Sequence, residues 1–373
     1  MAAGTELDDS FHIESHTALL QQQSADVGVK DRALDAIVVP TIRPQSLRTA
    51  AQLAKDISCS LVVLCSTPDQ VGQALTECRP CADDTYVTWV PQSVEDNWLS
   101  FLTTVHPENE VERSCHADIA TKRNVGLLLA RMCGWRTIMY LDDDIRDLTA
   151  AAVSQATALT SHFQAAGFEI GHYPDNSVVC HAYRLIGGRQ GTFPGGSALV
   201  VDVERCDTLF PPIYNEDWLF LFDAVQNRSV TIAGTGSQLE YRPFAHSRRA
   251  ASEEFGDVIA EGLFRLLHQG ADVSDATHAY WRSVLDLRLQ LIDHVAGRLL
   301  EQSGPVVGGA LMSLAAARKR LAAISPLACA SFIHAWRTDV GSWRHTLVDL
   351  PVLGDLHDAA KYIGLPAQMG CEQ

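Results

Sequence analysis

Three consecutive carboxylates, Asp142-Asp143-Asp144, stand directly after the apolar run Thr137-Ile138-Met139-Tyr140-Leu141. A short apolar run of this kind reads as a buried strand, and like charges packed at its end repel unless something offsets them. A bound divalent cation would do so, because hard cations take oxygen ligands and Asp supplies them on a short stem. A solvated acidic turn would use the same residues, so the rest of the chain must decide. Three further elements carry chemistry. The loop Pro194-Gly195-Gly196-Ser197 leads into apolar Ala198-Leu199-Val200-Val201, and paired glycines let backbone approach a ligand closely. The pair Glu216-Asp217 lies between Asn215 and Trp218. It suits a general base, and equally a helix N-terminus, where acids are favoured and Asn is a good N-cap. His246 lies in Phe244-Ala245-His246-Ser247-Arg248-Arg249, as a metal ligand or as a structural histidine beside a basic patch.

These groups need a scaffold. Ala36-Ile37-Val38-Val39 reads as a strand stopped by Pro40, and Leu47, Ala50, Ala51, Ala54 and Ile57 fall at helical spacing after Pro44. Ser60 to Cys65 is a second strand, so a right-handed β-α-β unit with parallel strands is expected. A third strand at Thr85 to Val90 follows directly, then a helix from about Asp118 to Cys133, with Gly134 as its C-cap. The strand at 137–141 then delivers the triplet to its carboxyl end, where open α/β sheets bind ligands. The expected organisation is a loosely held polar lead-in (1–33), an α/β domain (34–250, with halves 34–145 and 146–250) and a mainly helical region (251–373). Trp281, Trp336 and Trp343 in that last region are expected to be core.

Taken in order, the motifs resemble those of GT-A-fold glycosyltransferases, in particular the family 2-like inverting enzymes. Asp142 and Asp144 match a DxD motif, Gly195-Gly196 the glycine loop, Glu216-Asp217 the acidic pair and His246 a late histidine. Val38-Val39-Pro40-Thr41 and Lys122-Arg123-Asn124-Val125-Gly126 are similar to the opening strand and to the helix start before DxD. The resemblance covers about residues 35 to 250. It implies an α/β, GT-A (Rossmann-like) nucleotide-diphospho-sugar transferase domain with a helical C-terminal extension. It implies Mn²⁺ or Mg²⁺ held by Asp142, Asp144 and His246, and Arg123 or Lys122 facing the donor diphosphate. Asp217 would be the general base of an inverting transfer, with Glu216 and Trp218 on the acceptor. Pro40, Thr41, Arg43, Ser66 and, further out, Asp69 would line the nucleoside, with Asp143 directed at ribose or base and Gly195-Gly196 at the nucleotide sugar. A UDP-sugar donor and a small-molecule or glycan acceptor are the implied partners. The stretch Asp175 to His181 reads as a strand near the acceptor.

Composition narrows the alternatives. A formal charge of -16 argues against a nucleic-acid surface. No run of about 18 apolar residues suggests a membrane span, and the N-terminus has no signal-peptide pattern. Ten scattered cysteines fit reduced thiols and a cytoplasmic setting. Cys78-Arg79-Pro80-Cys81 with Cys115-His116 would make only an irregular zinc site. A sugar-phosphate nucleotidyltransferase would need a glycine-rich loop after the first strand, where Pro40-Thr41-Ile42-Arg43-Pro44 has none. A non-catalytic nucleotide-sugar-binding protein would be expected to lose acids that are all present here.

Overall fold

The apolar runs become the strands of one sheet. In a computed structural model, which describes residues 11–21, 32–80, 84–110, 116–171 and 177–366, β1 (Ala36–Thr41), β2 (Ser60–Cys65), β3 (Thr85–Trp89) and β4 (Thr137–Leu141) are buried along most of their length. They pair in parallel, β3 with β2, β2 with β1 and β1 with β4, as continuously apolar strands covered on both faces should. Helices α1 (Arg48–Ile57), α2 (Pro68–Cys78), α3 (Gln92–Trp98) and α4 (Ala117–Cys133) lie in the connections. The direct step expected between the second and third strands is corrected by α2, which begins with Pro68 at its first turn and buries Val71, Ala74, Leu75 and Cys78. Gly134 caps α4 in the left-handed region at φ 72°. Pro40 stands beyond Val38, the last residue of β1 that pairs with β4, so one flank of the strand has no ladder there.

The sheet has eight strands in the order β3-β2-β1-β4-β7-β6-β8-β5, where β5 is Ile145–Arg146, β6 Ala165–Gly171, β7 Ala198–Asp202 and β8 Val230–Gln238. β7 runs antiparallel to β4 and β6, β6 parallel to β8, and β5 antiparallel to β8. This is an α/β fold on a mixed sheet. Only the acidic triplet separates β4 from β5, yet β5 closes the far edge, so the sheet curls back towards the end of β4. Two more helices, α5 (Ala150–Leu159) and α7 (Glu216–Gln226), accompany this second half. Ile37, Val39, Leu61, Val63, Leu141, Phe168 and Val200 form one continuous core with residues of α1 and α2. On the opposite face α4 approaches closely at Gly126, where a Cβ would come within 2.7 Å of Val38 Cγ1.

Contacts divide the chain into two units, and not at the boundaries expected near residues 33 and 250. The sheet unit comprises residues 20–174, 194–240 and 335–373. It includes α12 (Leu356–Ile363) and α11 (Pro326–Asp349) from residue 335 on, with Trp336 against Phe222 and Trp343 against Phe101. The helical unit comprises residues 1–19, 175–193 and 241–334. Its helices α6 (Val178–Leu185), α8 (Ser247–His268), α9 (His278–Leu300) and α10 (Val307–Leu321) enclose a buried ion triad in which Arg288 holds Glu254 at 2.8 and 2.9 Å and Asp257 at 2.5 Å. Two expectations are corrected in this unit. The described part of the lead-in is packed rather than loose: His16 Nε2 lies 3.1 Å from Glu261, and Leu19 is buried. Of the stretch Asp175 to His181, expected as strand, residues 178–181 open helix α6, begun by a Ser177 hydroxyl that accepts from the Cys180 N–H; Asp175 and Asn176 lie outside the described residues. Trp281, Trp336 and Trp343 are fully buried core. No helix among the described residues is long and apolar enough to cross a membrane.

Candidate active site

The chain runs outward from β1 through β2 to β3 and returns on the other side of β1 as β4. The crevice outside the carboxyl ends of β1 and β4 is therefore the topological switch point, where open α/β sheets place ligands. The end of β1 brings Thr41 and Arg43 there, and the end of β4 brings the triplet. Because β7 is antiparallel to β4, with Leu141 opposite Ala198, the loop entering β7 must lie beside the chain leaving β4. Asp142 N–H donates to Ser197 O at 2.8 Å. Curling of the sheet returns β8 to the same place, with Leu239 N–H donating to Asp144 O at 3.0 Å.

The start of α7 completes the cluster. Asn215 turns the chain in the left-handed region at φ 59°, directly before Glu216 and Asp217. Asp217 Oδ2 accepts from Gly196 N–H at 2.6 Å and its Oδ1 from Trp218 N–H at 2.9 Å, which fixes a carboxylate that stays partly exposed. The glycine loop is thus explained by the site itself. A Cβ on Gly195 would overlap Asp217 Oδ2, and one on Gly196 would lie 2.5 Å from Arg123 Cζ. Both residues are buried, and the close approach they permit is to these side chains.

Arg123, expected to face a diphosphate, is 2% exposed and committed elsewhere. Its Nη2 donates to Asp142 Oδ1 at 2.8 Å, its Nη1 pairs with Glu216 Oε1, and its guanidinium lies 5.7 Å over the Phe210 ring. Glu216, expected on the acceptor, is correspondingly buried. Its place in the first turn of α7 points it at α4 rather than outward. Burial pushes its carboxyl up to about 8; Arg123 opposes the shift, and Asp217 and Asp142 add to it. One guanidinium cannot neutralise three neighbouring carboxylates in a low dielectric, so the most buried of them holds the proton.

At the other side of the triplet, Asp143 is buried and turned towards β1. Its Oδ2 accepts from Thr41 Oγ1 at 2.7 Å and Arg43 N–H at 3.2 Å, and its Oδ1 from Arg43 Nη2 at 2.6 Å. The same Nη2 donates to Asp144 Oδ2 at 2.8 Å, which also accepts from Gln238 Nε2 at 3.3 Å. Sequence reasoning missed Gln238; only the curl of the sheet makes it a neighbour of Asp144. Ser66 and Lys122 form a separate knot: Lys122 Nζ, 1% exposed, donates to Thr41 O, Ser66 Oγ and Asp118 Oδ2. Lys122 therefore braces the ends of β1 and β2. Trp218 is partly exposed beside Asp217, and Pro40 is buried within β1.

His246, expected as a metal ligand, is exposed at the N-cap of α8, in the helical unit. Among the described residues no group of three or more His, Cys, Asp or Glu side chains is gathered as a metal cage; Cys81 and Cys115 of the irregular zinc pattern lie outside them. The carboxylates nevertheless suit a cation that brings its own oxygens. Mg²⁺-like ions are commonly held by one or two carboxylates plus substrate phosphates. Arg43 bridges Asp143 and Asp144, and Arg123 pairs with Asp142. Comparison with protein-family models finds no match, and comparison with curated proteins finds none either.

Two outcomes follow from this packing. Gly196→Ala forces Arg123 or the loop to move and should lower stability by about 1–3 kcal/mol, read by urea denaturation; an unchanged midpoint contradicts the close approach. For Glu216, the unfolded carboxyl ionises near 4.5 while the folded one keeps its proton to about 8. The native state then binds the extra proton across that window, so this group's contribution to stability falls as pH rises through it. Glu216→Gln should flatten the stability–pH curve between those values, and a curve parallel to wild type would reject the assignment.

Proposed function

We propose that the chain is a GT-A-type glycosyltransferase that moves a sugar from a nucleotide diphosphate to a hydroxyl of a soluble acceptor, with inversion. The observation that carries the proposal is a single linked set at the switch point: Asp142 joined through Arg123 to Glu216, and Asp217 held beside the triplet by the Gly196 N–H. The order of motifs along the chain is that of the family the sequence resembles, and the acidic triplet, the glycine loop and the acidic pair come together at one edge of the sheet.

In this reading the nucleoside lies over the end of β1, beside Thr41 and Arg43. Asp144 and Asp142 would hold Mn²⁺ or Mg²⁺, which when bound supplies Lewis-acid stabilisation to the departing diphosphate. Asp217 takes the proton from the attacking acceptor hydroxyl. Both its oxygens are tethered to backbone N–H groups, so the carboxylate is oriented before substrate arrives. Glu216 does not touch the acceptor; it sets the position of Arg123 and, through it, of Asp142. Trp218 offers a partly exposed ring next to the base for a sugar face. A UDP-sugar is the favoured donor.

Asp217→Asn keeps the shape and one of the two tethering acceptors while removing the base. Nucleotide affinity should stay within about twofold, while transfer falls by about a hundredfold or more, measured as nucleotide release with a panel of sugar donors and acceptors. Transfer at the wild-type rate would require another base.

A further inference from the structure

Asp144 is buried, and both groups that hold its side chain are donors that can be exchanged. Arg43 reaches it with one nitrogen, Nη2, and spends that same nitrogen on Asp143 Oδ1. The rest of the guanidinium makes no hydrogen bond among the described residues, and the side chain is 44% exposed. Asp143 does not depend on that contact, because Thr41 Oγ1 and the Arg43 N–H hold its other oxygen. The guanidinium can therefore leave without loosening the triplet.

Gln238 is the second donor. Its Nε2 meets Asp144, while its Oε1 is buried and has no hydrogen-bond partner among the described residues. A buried amide oxygen left unpaired costs free energy that a cation or a donor in its place would recover. Its backbone is pinned by the ladder, Ile145 opposite Gln238, and by the Leu239 N–H to Asp144 O bond, so only the amide has to turn. Amide oxygens and carboxylates are the ligands hard cations take.

We propose that Arg43 and Gln238 form an exchange site on Asp144: without ligand their N–H groups fill the carboxylate, and a divalent cation displaces the guanidinium and takes the Gln238 oxygen. Arg43 is then both the competitor of the cation and, once released, a positive charge at the mouth of the site for the donor diphosphate. This rests on the proposed function insofar as the cation is the one that accompanies a nucleotide sugar. It adds a protein ligand from β8 and a sign for Arg43 that a simple phosphate-binding residue would not have.

The test is uptake of Mn²⁺ alone, followed by the loss of the free-ion electron paramagnetic resonance signal, with the same series repeated in UDP. Arg43→Met should bind Mn²⁺ alone about tenfold more tightly than wild type, because a competing unit charge is gone, and should bind UDP more weakly at saturating Mn²⁺. Gln238→Leu should weaken Mn²⁺ uptake, and Gln238→Glu should strengthen it. Arg43→Lys, which keeps the charge, should stay near wild type; circular dichroism checks that each variant is folded. Equal or weaker Mn²⁺ binding by folded Arg43→Met, or an unaffected Gln238→Leu, overturns the exchange site. If wild type then still takes up Mn²⁺ with UDP, the proposed function stands without it. No uptake by any form, with or without UDP, overturns both.

Discussion

A buried guanidinium joins the two acidic motifs, and the geometry of the site depends on it. Arg123 lies between Asp142, at the end of β4, and Glu216, at the start of α7. A charge taken out of water is costly unless its partners are well placed, and these partners come from segments far apart in the chain. α4 must therefore lie close on the sheet, which Gly126 allows, and the loop before β7 must pass close to the guanidinium, which Gly196 allows. Burial outweighs the pull of Arg123 on Glu216, which holds its proton to about 8.

The curl of the sheet does the rest. In a flat sheet the far edge strand, β5, would lie well away from β4. Here the chain passes from one to the other through Asp142-Asp143-Asp144, and the returning β8 sets Gln238 beside Asp144. The same antiparallel turn of β7 sets the glycine loop where Asp217 can accept its N–H. The acidic triplet and the Glu216-Asp217 pair thus share one sheet edge although Glu216 stands 74 positions beyond Asp142 in the sequence.

Much of this scaffold was legible in the residues. β1, β2, β3 and β4 announce themselves as β-branched or apolar runs of strand length, and α4 by its apolar spacing and Gly134. α2 was missed because its buried stripe consists mostly of small or short side chains between polar ones. The motif residues Asp142, Asp144, Gly195, Gly196, Glu216 and Asp217 do lie together, but Glu216 is buried instead of facing outward. Which way a first-turn side chain points depends on the helix opposite, so the burial of Glu216 and Arg123 against each other could not be read from spacing. Gln238 carries no local signal at all; it matters only through non-local pairing. The two-unit division was hidden for the same reason, since residues 11–19 join the helical unit through contacts such as His16 with Glu261.

The central claim is that a nucleotide diphosphate and a divalent cation are bound together at the end of β1 and β4. Its most direct test is calorimetric titration of the wild-type chain with UDP, GDP, ADP and TDP, each with and without Mn²⁺. The account predicts that one of them, UDP first, binds with Mn²⁺ and not without it. No binding by any nucleotide, or the same affinity in both conditions, would contradict it.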